Sequence, residues 1–252
     1  MKLNWRHIFF PDRFNCIVCD AELAKPVDIG ICSRCQKTMV HILGDEQCLK
    51  CGTYLPTMAE FCPRCQKNKR RFAACRAPYA YKNGAVAVIK RLKSESGRWL
   101  AKYCAEAMRK KIASESDYSE HKYDLTADLI LPVPLHKSRL KERGHNQAAS
   151  LAKCLAPLLG LPFEPDILTK PVETAKQAMA ASAKERAKNL ENAFAVITPE
   201  AVKGKRVLVV DDVITTGATL NEIARTLRRS SAKRIVGITF AATVTPLLQN
   251  EI

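Results

Sequence analysis

The chain has no apolar run approaching the roughly 20 residues that span a bilayer. Its opening stretch, MKLNWRHIFFPDRF, carries no apolar segment of signal-peptide length. The expectation is therefore a soluble, cytoplasmic protein with no membrane insertion. Aromatic residues are scarce, at 6%, and nowhere gather into a stacking platform, so sequence-specific reading of nucleic acid is not expected. Acidic residues are outnumbered, 25 Asp+Glu against 41 Lys+Arg, leaving a formal charge of +16. Such a surface attracts nucleic acid, phosphorylated small molecules or anionic lipid, although solubility alone also accounts for charge of this kind. With 47% hydrophobic residues, 252 positions suffice to bury a real core in one or two domains.

In a reducing compartment the 11 cysteines are not expected to form structural disulfides. Eight of them lie between Cys16 and Cys65 as four CxxC pairs, Cys16/Cys19, Cys32/Cys35, Cys48/Cys51 and Cys62/Cys65, spaced by twelve, twelve and ten residues. Two thiolates two residues apart can both reach one metal, and the tight turn between them aims backbone N–H groups at sulfur. Two such pairs complete a tetrahedral site, and four pairs make two. Gly52 and Pro63 suit the turns. A redox module or an iron–sulfur cluster is the competing reading, but redox catalysis more often shows one CxxC beside a βαβ unit, and ligand softness and spacing favour two structural Zn2+ ions. The region has few large apolar residues. Zinc, worth about 10–16 kcal/mol per structural site, would supply its folding energy. Sequential pairing of the CxxC units is the simplest, with an interleaved one open. Cys104 and Cys154 fall on apolar helix faces, where a core role is expected.

The basic run QKNKRRF marks a boundary, giving a zinc module over 1–70 and a second domain over 71–252. Ala73–Tyr81 reads as a strand or hairpin; Gly84–Arg91 and Trp99–Lys111 read as helices. Leu129–Val133 is a short buried strand. Gln147–Leu159 is an amphipathic helix ending at Gly160, and Ser182–Glu185 has capping-box spacing. Ala193–Ile197, Val207–Val210 and Ile235–Phe240 read as strands, with a helix over Leu220–Leu227. Strands alternating with helices specify an α/β fold with a parallel sheet covered on both faces.

The most informative segment is RVLVVDDVITTGAT, Arg206 to Thr219. A buried strand ends at Asp211 and Asp212, and the chain then turns through Thr215, Thr216, Gly217, Ala218 and Thr219 into a helix. Backbone N–H groups at that N-terminus converge on an anion, the helix dipole favours it, and Gly217 permits close approach. The two acids would repel phosphate but could accept hydrogen bonds from ribose hydroxyls, directly or through Mg2+. An ordinary capped strand-to-helix turn is the bland alternative. The whole string, however, resembles the PRPP-binding signature of type I phosphoribosyltransferases, which implies that fold: a parallel sheet with flanking helices. Purine-salvage members commonly carry an acid where Thr215 stands. Its absence argues against that chemistry, since no other carboxylate of the loop is free to act as the base.

A second constellation, Leu131 to Gln147, follows a strand with His136, Lys137, Arg139, Lys141 and Arg143. Guanidinium forks there could meet a pyrophosphate, against the alternative of a solvated basic loop. PVPLH, the RG.NQ motif and the VVDDVITTGAT loop together resemble the ComF/GntX family, whose longer members also begin with paired CxxC motifs. The resemblance runs from Cys16 to about Ala242. It departs at His145, where an aromatic is usual, and in the spacing from Gln177 to Arg186. It implies a cytoplasmic factor of natural transformation that handles incoming single-stranded DNA. Asp211 and Asp212 would then hold ribose, Thr215 to Thr219 the 5-phosphate, and Arg139 and Arg143, with Lys137, the pyrophosphate side. Thr174, Gln177, Arg186 and Asn189 match an intervening polar motif of no derived role. Two other functions stay open: an active phosphoribosyltransferase of unknown acceptor, and a nucleotide-sensing adaptor that docks a DNA-processing partner.

Overall fold

The computed structural model describes residues 14–23, 31–44, 46–55, 59–117, 125–172 and 192–244. Thr174, Gln177, Arg186, Asn189 and the Ser182–Glu185 box lie outside the described residues. Short elements open the chain: β1 (Phe14–Asn15) paired antiparallel with β2 (Glu22–Leu23), then α1 (Ser33–Gln36) and α2 (Pro63–Lys67). There follow β3 (Cys75–Arg76), β4 (Tyr79–Ala80), α3 (Asn83–Leu92), α4 (Leu100–Asp117), β5 (Leu129–Pro132), α5 (Lys137–Arg143) and α6 (Gln147–Leu159). Further along the described residues come β6 (Leu168–Thr169), β7 (Ala195–Val196), α7 (Pro199–Val202), β8 (Arg206–Ile214), α8 (Ala218–Arg229) and β9 (Arg234–Ala242).

The central sheet has the order β3-β9-β8-β5, and β4 also pairs with β9; every one of these pairings is parallel. The Ala73–Tyr81 segment is thus no hairpin. Its two strands run in the same direction along β9, separated by Ala77 and Pro78, and Pro78 has no N–H to give a ladder.

Period-two alternation along the strands divides the core. Val207 and Val209 turn to one face with Leu129, Leu131 and Ile235, against Leu220, Ile223, Ala224 and Leu227 of α8. Leu208 and Val210 turn to the other with Ile130, Val236, Ile238 and Phe240, against Val88, Leu92, Leu100, Leu151 and Leu155 of α3, α4 and α6. Each fully buried Leu or Ile contributes roughly 1.5–3 kcal/mol relative to exposure. The cysteine-rich segments join these two cores. Cys48, Cys51 and Cys62 lie with Phe72 on the α8 side, whereas Cys16, Cys35, Ile31 and Met39 lie on the other. Cys104 is fully buried among the helices and Cys154 half-buried on α6, as core residues should be, and burial pushes the Cys104 thiol up.

A buried ion network ties the second cysteine segment to α4. Glu115 accepts from Arg76 Nε and from Gln47 Nε2, each at 2.7 Å, and pairs with Lys111 at 2.8 Å. Arg76 also donates to Leu49 O and Cys75 O.

Candidate functional site

The eight clustered cysteines form two groups of four: Cys16, Cys19, Cys32 and Cys35; and Cys48, Cys51, Cys62 and Cys65. Within each group all sulfurs lie within 4.8 Å of one another, which is the sequential pairing. A tetrahedral site with Zn–S bonds of about 2.3 Å has S···S edges of about 3.8 Å. Cys19 and Cys32 sulfurs are 3.9 Å apart, and Cys51 and Cys62 sulfurs 3.7 Å. Amides point at sulfur as the turns require: Cys35 N–H donates to Cys32 Sγ and Cys32 N–H to Cys16 Sγ, both at 3.4 Å. The thiols drive one another's protonation apart. Hydrogen bonding with Cys51 holds Cys48 far below the usual thiol range, and the same contact pushes Cys51 far above it. Four sulfurs this close ionise together only around a cation, so both donor sets fit Zn2+. Each set is complete with four protein ligands, which makes the metals structural.

At the carboxyl ends of β5, β8 and β9 lies a cavity of about 510 Å3 lined by Asp211, Asp212, Thr215, Gly217, Ala218 and Thr219, with Arg139 and Arg143 among its other walls. This is where open parallel sheets place their ligands. β8 does not end at the aspartates, as its apolar run suggested. Asp211 pairs with Thr239, and the strand runs on until Ile214 pairs with Ala242. The β-branched Val213 and Ile214 favour pairing, and β9 is still alongside to receive them.

Gly217, at φ 72°, is the N-cap of α8, so the backbone turns sharply into the helix there. Thr216 is buried and outside the cavity wall; its hydroxyl accepts from Ala218 N–H at 3.3 Å. Asp211 is half-buried at the wall, accepts from Asp212 N–H at 2.9 Å, and has its carboxyl pushed well above the usual range, by burial first and by the adjoining Asp212 next. Asp212 is buried and meets Lys93 Nζ at 2.9 Å.

The basic segment, for which a solvated loop was the alternative reading, is a helix. His136 caps α5 by accepting from Ser138 N–H at 3.3 Å, and Gly144 ends it. One turn apart, Arg139 and Arg143 share the cavity face. Arg139 pairs with Glu142 at 2.6 Å and Arg143 donates to Gln147 Oε1 at 3.0 Å. Lys137 and Lys141 are exposed and not part of the cavity wall. His145, standing where an aromatic was expected, is buried, with Nε2 3.0 Å from Leu92 O.

Sequence reasoning missed two groups. Lys93 and Lys170 line the cavity from α3 and from the end of β6. Behind the loop, the second cysteine segment braces its backbone: Arg64 Nη1 donates to Thr215 O at 3.1 Å and Arg70 Nη2 to Thr216 O at 2.8 Å. Arg70 Nε also donates to Cys65 Sγ at 3.4 Å, so one guanidinium joins a zinc-ligand sulfur to the loop.

Two family models match the chain: a phosphoribosyl transferase domain over residues 146–245 and a double zinc ribbon domain over residues 5–66. Competence protein F of Haemophilus influenzae is 33% identical over 223 residues, which cover 88% of this chain and 94% of that protein. DNA utilization protein YhgH of Escherichia coli O157:H7 is 39% identical over 108 residues, covering 43% of this chain and 46% of that one. Adenine phosphoribosyltransferase of Thermoanaerobacter pseudethanolicus is 20% identical with a TM-score of 0.32, over 62% of this chain and 70% of that one, a likeness too remote to carry an argument. Among the described residues no helix is long and apolar enough to cross a membrane.

Proposed function

The chain belongs to the competence protein F family, and from that premise we propose that it serves natural transformation by handling incoming single-stranded DNA in the cytoplasm, with a cavity that takes a phosphorylated ribose. The observation that carries the ligand class is the meeting, in one cavity, of the Asp211–Asp212 pair, the α8 N-terminus and the two arginines of α5. Backbone N–H groups from Thr215 to Thr219 receive the 5-phosphate, with hydroxyl donors beside them. Asp211 and Asp212 accept from the ribose hydroxyls, and Lys93 compensates the buried charge of Asp212. Arg139 and Arg143 face the pyrophosphate end of PRPP, with Lys137 set further out. Mg2+, a hard cation that takes carboxylate and phosphate oxygens, would be held by the aspartates together with the ligand's own phosphates and would neutralise the latter. Residues 1–70 act as the zinc-bound module and 71–252 as the ligand-binding domain. The charge of +16 supports attraction of a nucleic-acid backbone.

The test is genetic. A strain deleted for this gene regains transformation with the wild-type allele and not with Asp211→Asn/Asp212→Asn, provided that both proteins accumulate equally. Full rescue by the double variant contradicts the proposal. A second reading, an active phosphoribosyltransferase, draws on the same arginines, placed to stabilise departing pyrophosphate. It requires pyrophosphate release dependent on an acceptor base. Thr215 offers no carboxylate for proton removal, so purine acceptors are not expected.

A further inference from the structure

At the far end of α8 from the phosphate loop, a separate hollow of about 360 Å3 is lined, among the described residues, by Arg71, Arg225, Arg228 and Arg229. Three come from the last turns of the helix; Arg71 comes from the segment that leaves the second cysteine group. The helix runs from Ala218 to Arg229, so at about 1.5 Å rise per residue its three arginines lie about 10–17 Å along the axis from the loop end.

These side chains are arranged, not merely abundant. Arg71 N–H donates to Asn221 Oδ1 at 2.8 Å, which fixes its backbone against α8. Arg228 Nε donates to Arg71 O at 2.7 Å, and Arg229 Nη1 reaches Asn192 Oδ1 at 3.4 Å. Arg225 forks onto Glu222. Arg71, Arg228 and Arg229 are exposed, and among the described residues no carboxylate pairs with any of them. The anchoring bonds of Arg228 and Arg229 go to neutral oxygens and use only part of each guanidinium's five donors. Interaction with the helix dipole accounts for basic residues in the last turn, but not for Arg71 arriving from another element. The three arginines without a carboxylate repel one another around this hollow, and salt screens that repulsion only in part at short range. An anion bridging them relieves it, and a phosphate oxygen is the acceptor that suits guanidinium geometry.

We propose that the Arg71–Arg225–Arg228–Arg229 hollow binds the phosphodiester backbone of single-stranded DNA, at a site separate from the ribose-phosphate cavity. The inference rests on the DNA-handling reading and names its contact surface. A flexible single strand can bring several phosphates onto these clustered guanidiniums at little bending cost, whereas a duplex, with a persistence length of about 50 nm, cannot bend over so short a span.

The experiment is fluorescence anisotropy of a labelled oligothymidylate of about 30 nucleotides, ample for one site, with the full-length, zinc-loaded protein over a salt series. Arg71→Ala/Arg228→Ala/Arg229→Ala should weaken binding at least about tenfold and reduce the log–log salt slope by about 2, at about 0.7 per lost phosphate contact. Arg71→Lys/Arg228→Lys/Arg229→Lys should retain most of the slope. Zinc content and melting temperature verify that both variants are folded. If wild type binds and the alanine variant matches its affinity and slope, the hollow is not the contact surface and the DNA-handling reading stands without it. If wild type binds no oligonucleotide at low salt, the DNA-handling reading fails and the inference fails with it. If inorganic pyrophosphate binds the hollow as tightly as the oligonucleotide does, the site is one for small anions and the proposal is overturned.

Discussion

Replacing Arg70 with alanine should weaken PRPP binding about tenfold although Arg70 lies behind the loop. Its guanidinium holds Thr216 O at 2.8 Å and Cys65 Sγ at 3.4 Å. A hydrogen bond from a charged donor nets about 1.5–3 kcal/mol. Arg70 is half-buried, so solvent screening leaves about 1–2 kcal/mol holding the loop backbone in place. Without it the ligand must order the loop as it binds, and about 1.4 kcal/mol corresponds to a tenfold rise in Kd. Arg64, on Thr215 O at 3.1 Å, keeps the effect from being larger. Arg70→Lys should fail similarly, because one ammonium does not reproduce a fork that spans a sulfur and a carbonyl. The assay is calorimetric titration of PRPP with Mg2+ into each variant, alongside its zinc content. Wild-type affinity in Arg70→Ala at full zinc occupancy would refute the reasoning and leave loop geometry to Arg64 and the helix N-terminus.

Other perturbations follow from the same contacts. Glu115→Ala leaves Arg76, fully buried, without its carboxylate partner; breaking such a pair costs about 3–5 kcal/mol, readable in a urea melt. Gly52, at φ 69°, would put an alanine Cβ 2.6 Å from Cys75 O, whereas at Gly217, φ 72°, the nearest atom is 3.6 Å away. Both substitutions bear about 1–2 kcal/mol of left-handed strain, and only Gly52→Ala adds a backbone clash, so its melting temperature should fall further. Asp128 is held down to about 2 by hydrogen bonds from Arg206. A depressed carboxylate stabilises the fold above its unfolded value of about 3.9, and that contribution is lost as the pH falls through about 2. Asp128→Asn should flatten this acid limb in pH-dependent denaturation.

What the sequence disclosed, it disclosed through spacing and through strings of local meaning. The CxxC intervals announced the two sulfur clusters because each pair is a self-contained turn. The bounds of α6 followed from apolar period and from its end at Gly160, an αL residue at φ 64°. The VVDDVITTGAT string marked the cavity because one strand, one turn and one helix carry it. Contacts between distant segments were not legible. Lys93, Lys170, Arg64 and Arg70 are single cations in a chain with 41 Lys+Arg, and nothing local distinguishes those that face the cavity or brace its loop. The length of β8 was misjudged because charge at Asp211 and Asp212 masks a strand that its neighbour sustains. No helix was assigned to the α5 segment because its basic residues hid the cap at His136. Nor did composition reveal that the second cysteine group packs into the same core as α8, since cysteine counts poorly as a hydrophobe until its position is known.

The claim on which the rest depends is that the cavity accepts a ribose carrying phosphate. Calorimetric titration of PRPP with Mg2+ into wild-type protein and into Asp211→Asn/Asp212→Asn, both zinc-loaded and matched in melting temperature, tests it most directly. Saturable binding to the wild type that disappears in the variant is the expected result; no binding to the wild type, or equal binding to both, would contradict the account.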